Sequence, residues 1–217
     1  MVSIKFGKEN LLLYAITPSS AEKSTVNLCR QVEMALKGGA TCIQLREKGA
    51  EESEYIEKAV EVKKICSKYA VPLIINDNLT VALKSNADGV HLGKDDLSIS
   101  QARKIAPSGF IIGATAKTVQ QAQSAEKSGA DYLGAGSIFA SPTKKNAIRI
   151  SKAELKEICS CVNIPVVAIG GIEKENICEL AGCGIDGIAT VSAVFSAKDI
   201  EKECEILKQI VKDTILK

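Results

Sequence analysis

Short, mainly apolar runs alternate with longer stretches of helical spacing along the chain. The runs are Leu11–Ile16, Cys42–Arg46, Pro72–Asn76, Gly89–Leu92, Phe110–Thr115, Tyr132–Ala135, Pro165–Ile169 and Gly187–Val191. They lack the regular polar alternation of a half-exposed strand, the pattern expected of parallel strands covered on both faces. Between them lie amphipathic stretches: Tyr55, Ala59, Val62, Cys66 and Tyr69 recur at helical spacing, as do Ile200, Cys204, Leu207 and Val211. Eight strands in 217 residues leave about 27 residues for each βα unit, compact but sufficient for a barrel. The pattern predicts an α/β fold, one (β/α)8 TIM barrel over residues 1–217. A doubly wound open sheet normally carries a glycine-rich phosphate loop after its first strand. Here Ile16-Thr-Pro-Ser-Ser20 follows the first run, and the paired glycines come late, in Ile169-Gly-Gly-Ile172.

Composition narrows the partners. Hydrophobic residues are 46% and charged residues 25%, and 28 Lys+Arg against 26 Asp+Glu leave a charge of +2. Nucleic acids and anionic membranes call for a clustered basic excess, so neither is expected as a partner, and any anion site must be local. The N-terminal residues lack the apolar core and small-residue cleavage site of a secretion signal. No apolar run approaches the ~20 residues of a membrane span, so the expected location is the cytoplasm. Eight cysteines form no Cys-x-x-Cys pair and His91 is the single histidine, which argues against structural zinc. Most of the cysteines read as small hydrophobes on helix faces.

Barrel active sites form at the C-terminal ends of the strands. The second run ends Gln44-Leu-Arg-Glu-Lys48, where alternation sets Gln44, Arg46 and Lys48 on one side; there they offer an amide and two cations to an anion, or else form a solvated strand end. Asp77, after Asn76, and Asp96, in His91-Leu-Gly-Lys-Asp-Asp96, come from neighbouring strand ends. Both can reach one Mg²⁺, or either can cap a following helix, a role Ser98 could also fill. His91 reads as a buried histidine with one backbone partner. Ser137-Ile-Phe-Ala-Ser-Pro-Thr-Lys-Lys145 offers hydroxyls at Ser141 and Thr143 and a cation at Lys144. Gly170-Gly171 and Val191-Ser192 follow the last two strands, where barrel phosphate sites often lie; the glycine backbone can approach a phosphate, and Ser192 can open a short helix. Two anion sites result: one basic and metal-assisted, one built from backbone amides.

These segments, with Leu13-Tyr-Ala-Ile-Thr17, Gly89-Val-His-Leu-Gly93, Pro142-Thr-Lys144 and Ala168-Ile-Gly-Gly-Ile172, resemble the thiamine-phosphate synthase family in order and over nearly the whole chain. The resemblance implies a transferase of thiamine biosynthesis that joins hydroxymethylpyrimidine diphosphate to thiazole phosphate, giving thiamine phosphate and pyrophosphate. It implies Gln44, Arg46, Lys48 and Asn76 on the pyrimidine diphosphate, with Thr115 and Lys144 also at that substrate. Asp77 and Asp96 fall at Mg²⁺ positions. Ser141, Thr143, Gly171, Val191 and Ser192 match the thiazole-phosphate site. Arg46, Lys48 and Lys144 would stabilise the departing pyrophosphate. Thr115 stands where Ser is usual, Ser141 where Thr is usual, Ser137 where Pro is usual, and Lys117 where His is frequent. A thiazole tautomerase on the same barrel would lack the metal carboxylates and use a histidine at position 117. A non-catalytic phosphate-binding barrel would need only Gly170, Gly171 and Ser192. The expected partners are phosphorylated small molecules, and the number of subunits is left open, a homo-oligomer included.

Overall fold

The computed structural model describes residues 6–19, 25–140 and 148–215. Eight parallel strands close into a barrel in chain order: β1 (Leu13–Ile16), β2 (Cys42–Leu45), β3 (Leu73–Asn76), β4 (Gly89–Leu92), β5 (Ile111–Ala116), β6 (Tyr132–Gly136), β7 (Val166–Ile169) and β8 (Gly187–Thr190), with β8 paired back to β1. Helices α1 (Thr25–Lys37), α2 (Glu52–Lys68), α3 (Leu79–Lys84), α4 (Ile99–Ile105), α5 (Val119–Lys127) and α6 (Lys152–Ser160) follow the first six strands. A single 3-10 turn, Ile177–Leu180, stands where a helix would follow β7, and β8 leads into α7 (Ser192–Phe195) and α8 (Ile200–Thr214). The first apolar run is longer than its strand because Leu11 belongs to a 3-10 turn, Lys8–Leu11, ahead of β1.

Alternation along each strand divides the apolar residues between two cores. Leu13, Ile43, Leu73, Val90, Ile112, Leu133, Val166 and Ile188 face outward into the layer shared with the helices. Tyr14, Cys42, Ile74, Ile111, Tyr132, Val167 and Ala189 fill the inside of the ring. The inside is narrow, so large residues need small ones opposite. The Tyr14 and Tyr132 rings meet edge to face with centroids 5.8 Å apart. Gly113 makes room for them, because a β-carbon there would lie 2.1 Å from Cζ of Tyr132.

The N-terminal end of the barrel carries a device repeated at alternate strands. Backbone N–H groups of Leu13, Leu73, Ile112 and Val166 donate to side chains of Thr41 (2.9 Å), Asp88 (2.7 Å), Asp131 (2.7 Å) and Asp186 (2.9 Å). Each acceptor immediately precedes an even-numbered strand. Each also follows, two residues on, a left-handed residue: Gly39, Asn86, Gly129 and Gly184, with φ of 92°, 54°, 96° and 83°. A cation balances each of the three carboxylates: Lys63 on Asp88, Arg103 on Asp131 and Lys8 on Asp186. Left without these acceptors, such N–H groups in the first two residues of a strand would be unpaired donors, costing about 1–3 kcal/mol each where buried.

This device serves stability at the end of the barrel opposite the strand tips. Asp131→Ala is therefore expected to lower the urea-unfolding free energy by about 1–3 kcal/mol, while the folded fraction keeps wild-type turnover; lost turnover at unchanged stability would contradict it.

Candidate active site

The C-terminal ends of the strands surround a pocket with about 1090 Å³ of empty space, open solvent at its mouth included. Its walls include Ile16, Val167, Ile169 and Ile172, and its polar lining includes Gln44, Arg46, Asn76, Asp77, His91 and Thr115.

The basic side starts on β2. That strand ends at Leu45, so strand alternation does not itself carry Lys48 to the pocket. The chain beyond is held by the segment that follows β1 instead: Arg46 N–H donates to Thr17 Oγ1 (3.0 Å) and Lys48 N–H to Ser19 Oγ (2.6 Å). Behind it, the Tyr55 hydroxyl on α2 donates to the Leu45 carbonyl (2.8 Å) and, sharing the same proton, approaches the Asn76 carbonyl at 3.3 Å, tying the tips of β2 and β3 together. Lys58, one helical turn on, is buried and pairs with Glu47 (3.5 Å) and Glu54 (2.9 Å). Burial by itself would lower the Lys58 pKa, but the two carboxylates outweigh it and raise it. Glu47 thus anchors the segment from behind while its neighbours Arg46 and Lys48 stay on the solvent side.

Asp77 follows β3 in an unusual backbone state. Its φ is 65°, and Asn78 N–H donates to Asn76 C=O at 2.8 Å, closing a three-residue turn around it. A non-glycine residue there stores strain of about 1–3 kcal/mol. The Asp77 N–H is held by the His91 carbonyl at 2.8 Å, and its carboxylate pairs with Lys48. Asp96 reaches the same place from the loop after β4, where its carboxylate accepts Gly93 N–H at 2.7 Å. Burial raises both carboxyl groups. At Asp77, Lys48, the contact with Asp96 and the nearby His91 reverse this and hold it below the usual range. At Asp96 the Gly93 N–H lowers the pKa, yet burial and the adjacent Asp77 keep it raised. Neither residue caps a helix: Asn78 caps α3 and Ser98 caps α4.

Two crowded carboxylates fit a hard divalent cation, which would relieve their repulsion. Among the described residues no group of three or more His, Cys, Asp or Glu side chains could hold a metal. Asp77 and Asp96 would supply two oxygen ligands, leaving the rest to substrate and water, the usual arrangement for Mg²⁺.

His91 departs from the sequence-based expectation of a single backbone partner. It is 8% exposed, lines the pocket, and both ring nitrogens meet side chains: Nδ1 lies 3.0 Å from the Tyr132 hydroxyl and Nε2 3.0 Å from Thr115 Oγ1. The expectation misses because alternation on β4 turns His91 into the barrel beside Gly113 and Asn76, where side-chain hydroxyls are the near neighbours. Gln44 is likewise more deeply placed than a rim residue, 3% exposed, with Nε2 donating to the Tyr14 hydroxyl at 2.7 Å.

The opposite side is backbone-rich. Gly170 and Gly171 have φ of 102° and 63°, and a β-carbon on Gly171 would lie 2.2 Å from the Ala140 carbonyl. Asn176 Nδ2 donates to Gly171 C=O at 2.9 Å, holding the turn. Val191 and Ser192, at the start of α7, border the same pocket, as do Ser137 and Lys117. Ser141, Thr143 and Lys144 lie outside the described residues. Lys58, Ser19 and Asn176 carry no pattern that marks them in the sequence, and Tyr55 and Thr17 stand out there only in a helical stripe and a family motif, because what each does at the site depends on tertiary bonds. Tyr14 and Tyr132 had a signal: strand alternation turns both hydroxyls inward.

The sequence profile of the family described as thiamine monophosphate synthase matches residues 13–194. The chain belongs to the thiamine monophosphate synthase family. Thiamine-phosphate synthase 2 of Streptococcus pneumoniae is 47% identical over 198 residues, 91% of this chain and 94% of that protein. The thiamine-phosphate synthase of Pyrococcus abyssi is 44% identical over 209 residues, 96% of this chain and 98% of its own. The solved thiamine phosphate pyrophosphorylase of Pyrococcus furiosus superposes with a TM-score of 0.85 at 41% identity, covering 95% of this chain and 98% of that one. Membership makes this protein an enzyme of the transferase class. Among the described residues, no helix of this family member is long and apolar enough to cross a membrane.

The left-handed backbone at Asp77 gives a stability order that an ordinary loop would reverse. Asp77→Gly and Asp77→Ala both lose the Lys48 pair, but only glycine relieves the backbone. Asp77→Gly is expected to be more stable than Asp77→Ala by about 1 kcal/mol in urea unfolding; equal stabilities would remove the strain argument.

Proposed function

We propose that this chain is a thiamine-phosphate synthase, joining 4-amino-2-methyl-5-(diphosphooxymethyl)pyrimidine to thiazole phosphate with release of pyrophosphate. The observation that carries the reading is the meeting of Arg46, Asp77 and the glycine turn Gly170–Gly171 around one apolar-walled pocket, in a chain of this family. It supplies one charged and one backbone-amide anion site, as two phosphorylated substrates require.

In this reading the C–O bond to the diphosphate breaks first, and its electron pair leaves with pyrophosphate. The aminopyrimidine ring stabilises the methylene cation, and the thiazole nitrogen lone pair then forms the new C–N bond. Arg46 and Lys48 bind the diphosphate and neutralise the charge that grows on it, a preorganised electrostatic role. Lys144 takes the same role from the resemblance. Gln44, Asn76 and Thr115 orient the pyrimidine diphosphate. Gly171, Val191 and Ser192, with Ser141 and Thr143 by resemblance, hold the thiazole phosphate. Mg²⁺ bound by Asp77 and Asp96 would supply further neutralisation of the leaving diphosphate. The apolar walls keep water from the cation, and no general base is needed at the reacting atoms.

The pairing of Lys48 with Asp77 beside Asp96 supports a metal–diphosphate site over a tautomerase or a passive phosphate binder, neither of which needs it. Pyrophosphate release should occur only with both substrates and Mg²⁺ present. Arg46→Ala is expected to lower kcat/KM by about 10²–10³-fold, and Asp77→Ala to abolish the Mg²⁺ response. Pyrophosphate-free turnover of thiazole phosphate alone would replace this reading with the tautomerase.

A further inference from the structure

A hydrogen-bonded chain of side chains, buried as far as its last member Thr115, crosses the barrel along the floor of the pocket. Gln44 Nε2 donates to the Tyr14 hydroxyl at 2.7 Å, and the Tyr14 and Tyr132 hydroxyls lie 2.8 Å apart. The Tyr132 hydroxyl lies 3.0 Å from His91 Nδ1, and His91 Nε2 lies 3.0 Å from Thr115 Oγ1. The members come from β2, β1, β6, β4 and β5 in turn. Tyr14 and Tyr132 are 1% and 0% exposed, so water cannot exchange hydrogen bonds with them.

The proton count in such a chain is restrictive. Each phenol has one O–H to give. Tyr14 accepts from Gln44, so its own proton goes to Tyr132. Tyr132 accepts that bond, so its proton goes to Nδ1 of His91. The imidazole then carries its proton on Nε2 and donates it to Thr115 Oγ1. Thr115 already accepts one bond, which leaves its hydroxyl proton for the pocket it lines. The Cys42 thiol beside Tyr14 is a weak acceptor and does not compete with a phenol oxygen.

We propose that Tyr132, acting through the Nε2–H tautomer of His91, is a positioning residue that makes Thr115 a hydrogen-bond donor to an anionic oxygen of the bound substrate. The donor role rests on the synthase reading; the proton positions do not. A hydroxyl whose polarity is preset meets a diphosphate oxygen without first reorienting, which favours the bound and departing anion over a neutral ligand. The opposite polarity is a complete alternative. It requires Gln44 to present its carbonyl to Tyr14, Nδ1 of His91 to carry the proton, and Thr115 to donate inward and only accept from the substrate.

His91 is the single histidine in the sequence, so its nitrogen resonances can be read without assignment. In substrate-free protein labelled with 15N-histidine, proton–nitrogen correlation should show a pyrrole-type Nε2, coupled to both ring carbon-bound protons, and a pyridine-type Nδ1. Tyr132→Phe should disturb this pattern, raising the Nδ1–H population. It should also lower kcat/KM for the pyrimidine diphosphate by roughly tenfold, the scale of one hydrogen bond. Thr115→Val should give the same kinetic loss and Thr115→Ser should restore it. Pyridine-type Nε2 with pyrrole-type Nδ1 in the wild type would overturn the proposal, as would Tyr132→Phe leaving the tautomer unchanged. The wild-type spectrum needs no variant to fold. Since it uses no substrate, a wrong tautomer leaves the synthase reading standing, whereas absent pyrophosphate release sinks that reading and leaves the tautomer result intact.

Discussion

Closing eight short parallel strands into a ring turns every second residue of each strand into a space with room for only a few side chains. The remaining architecture follows from how that space is divided. Tyr14 and Tyr132 take the middle because Gly113 yields its volume to the Tyr132 ring. Above them, Gly134 and Gly136 carry no side chain, and a hollow remains at the strand tips. The rings exclude water from below, so the hydroxyls they carry must bond one another and His91. One steric allotment therefore yields a packed floor, a vacant mouth and the buried polar chain between them.

The two ends of the barrel solve different problems. At the N-terminal end, Thr41, Asp88, Asp131 and Asp186 satisfy strand-opening N–H groups, and three cations neutralise the carboxylates. These polar groups are spent on the fold. At the C-terminal end, charge is left facing the pocket and is held from behind. Lys58 and Tyr55 grip the segment that presents Arg46, and Thr17 and Ser19 hold its backbone. Asp77 is kept in a left-handed turn that its own side chain disfavours. Strain, crowded carboxylates and an exposed cation are concentrated on one face, as expected where binding rather than stability sets the residues.

Some of this was readable in the chain. Asp77 and Asp96 stand at neighbouring strand ends, and a barrel brings such ends together. Gly170-Gly171 and Val191-Ser192 were readable for the same reason, and the single-turn helix at Ser192 appears where the sequence predicts one. His91 is buried as the sequence suggests, but its side-chain partners, Tyr132 and Thr115, lie 41 and 24 residues away. No local pattern announces a bond of that span. The four acceptors that precede the even-numbered strands are equally illegible in the chain, since positions 41, 88, 131 and 186 are unevenly spaced and one of them is Thr. Lys48 reaches the site for a reason other than the one expected: its position comes from a bond to Ser19 after β2 has ended.

By itself, the sequence determined the number of strands, their order, and which polar residues stand at their ends. Apolar runs, turn residues and strand tips are local properties, and parallel strands of this length with intervening helices have few ways to close. Tertiary structure alone decided which of those polar residues face one another, which are gripped from behind, and which join the buried chain of hydroxyls. Those outcomes depend on register and on inward volume, quantities that exist only after β8 has paired with β1.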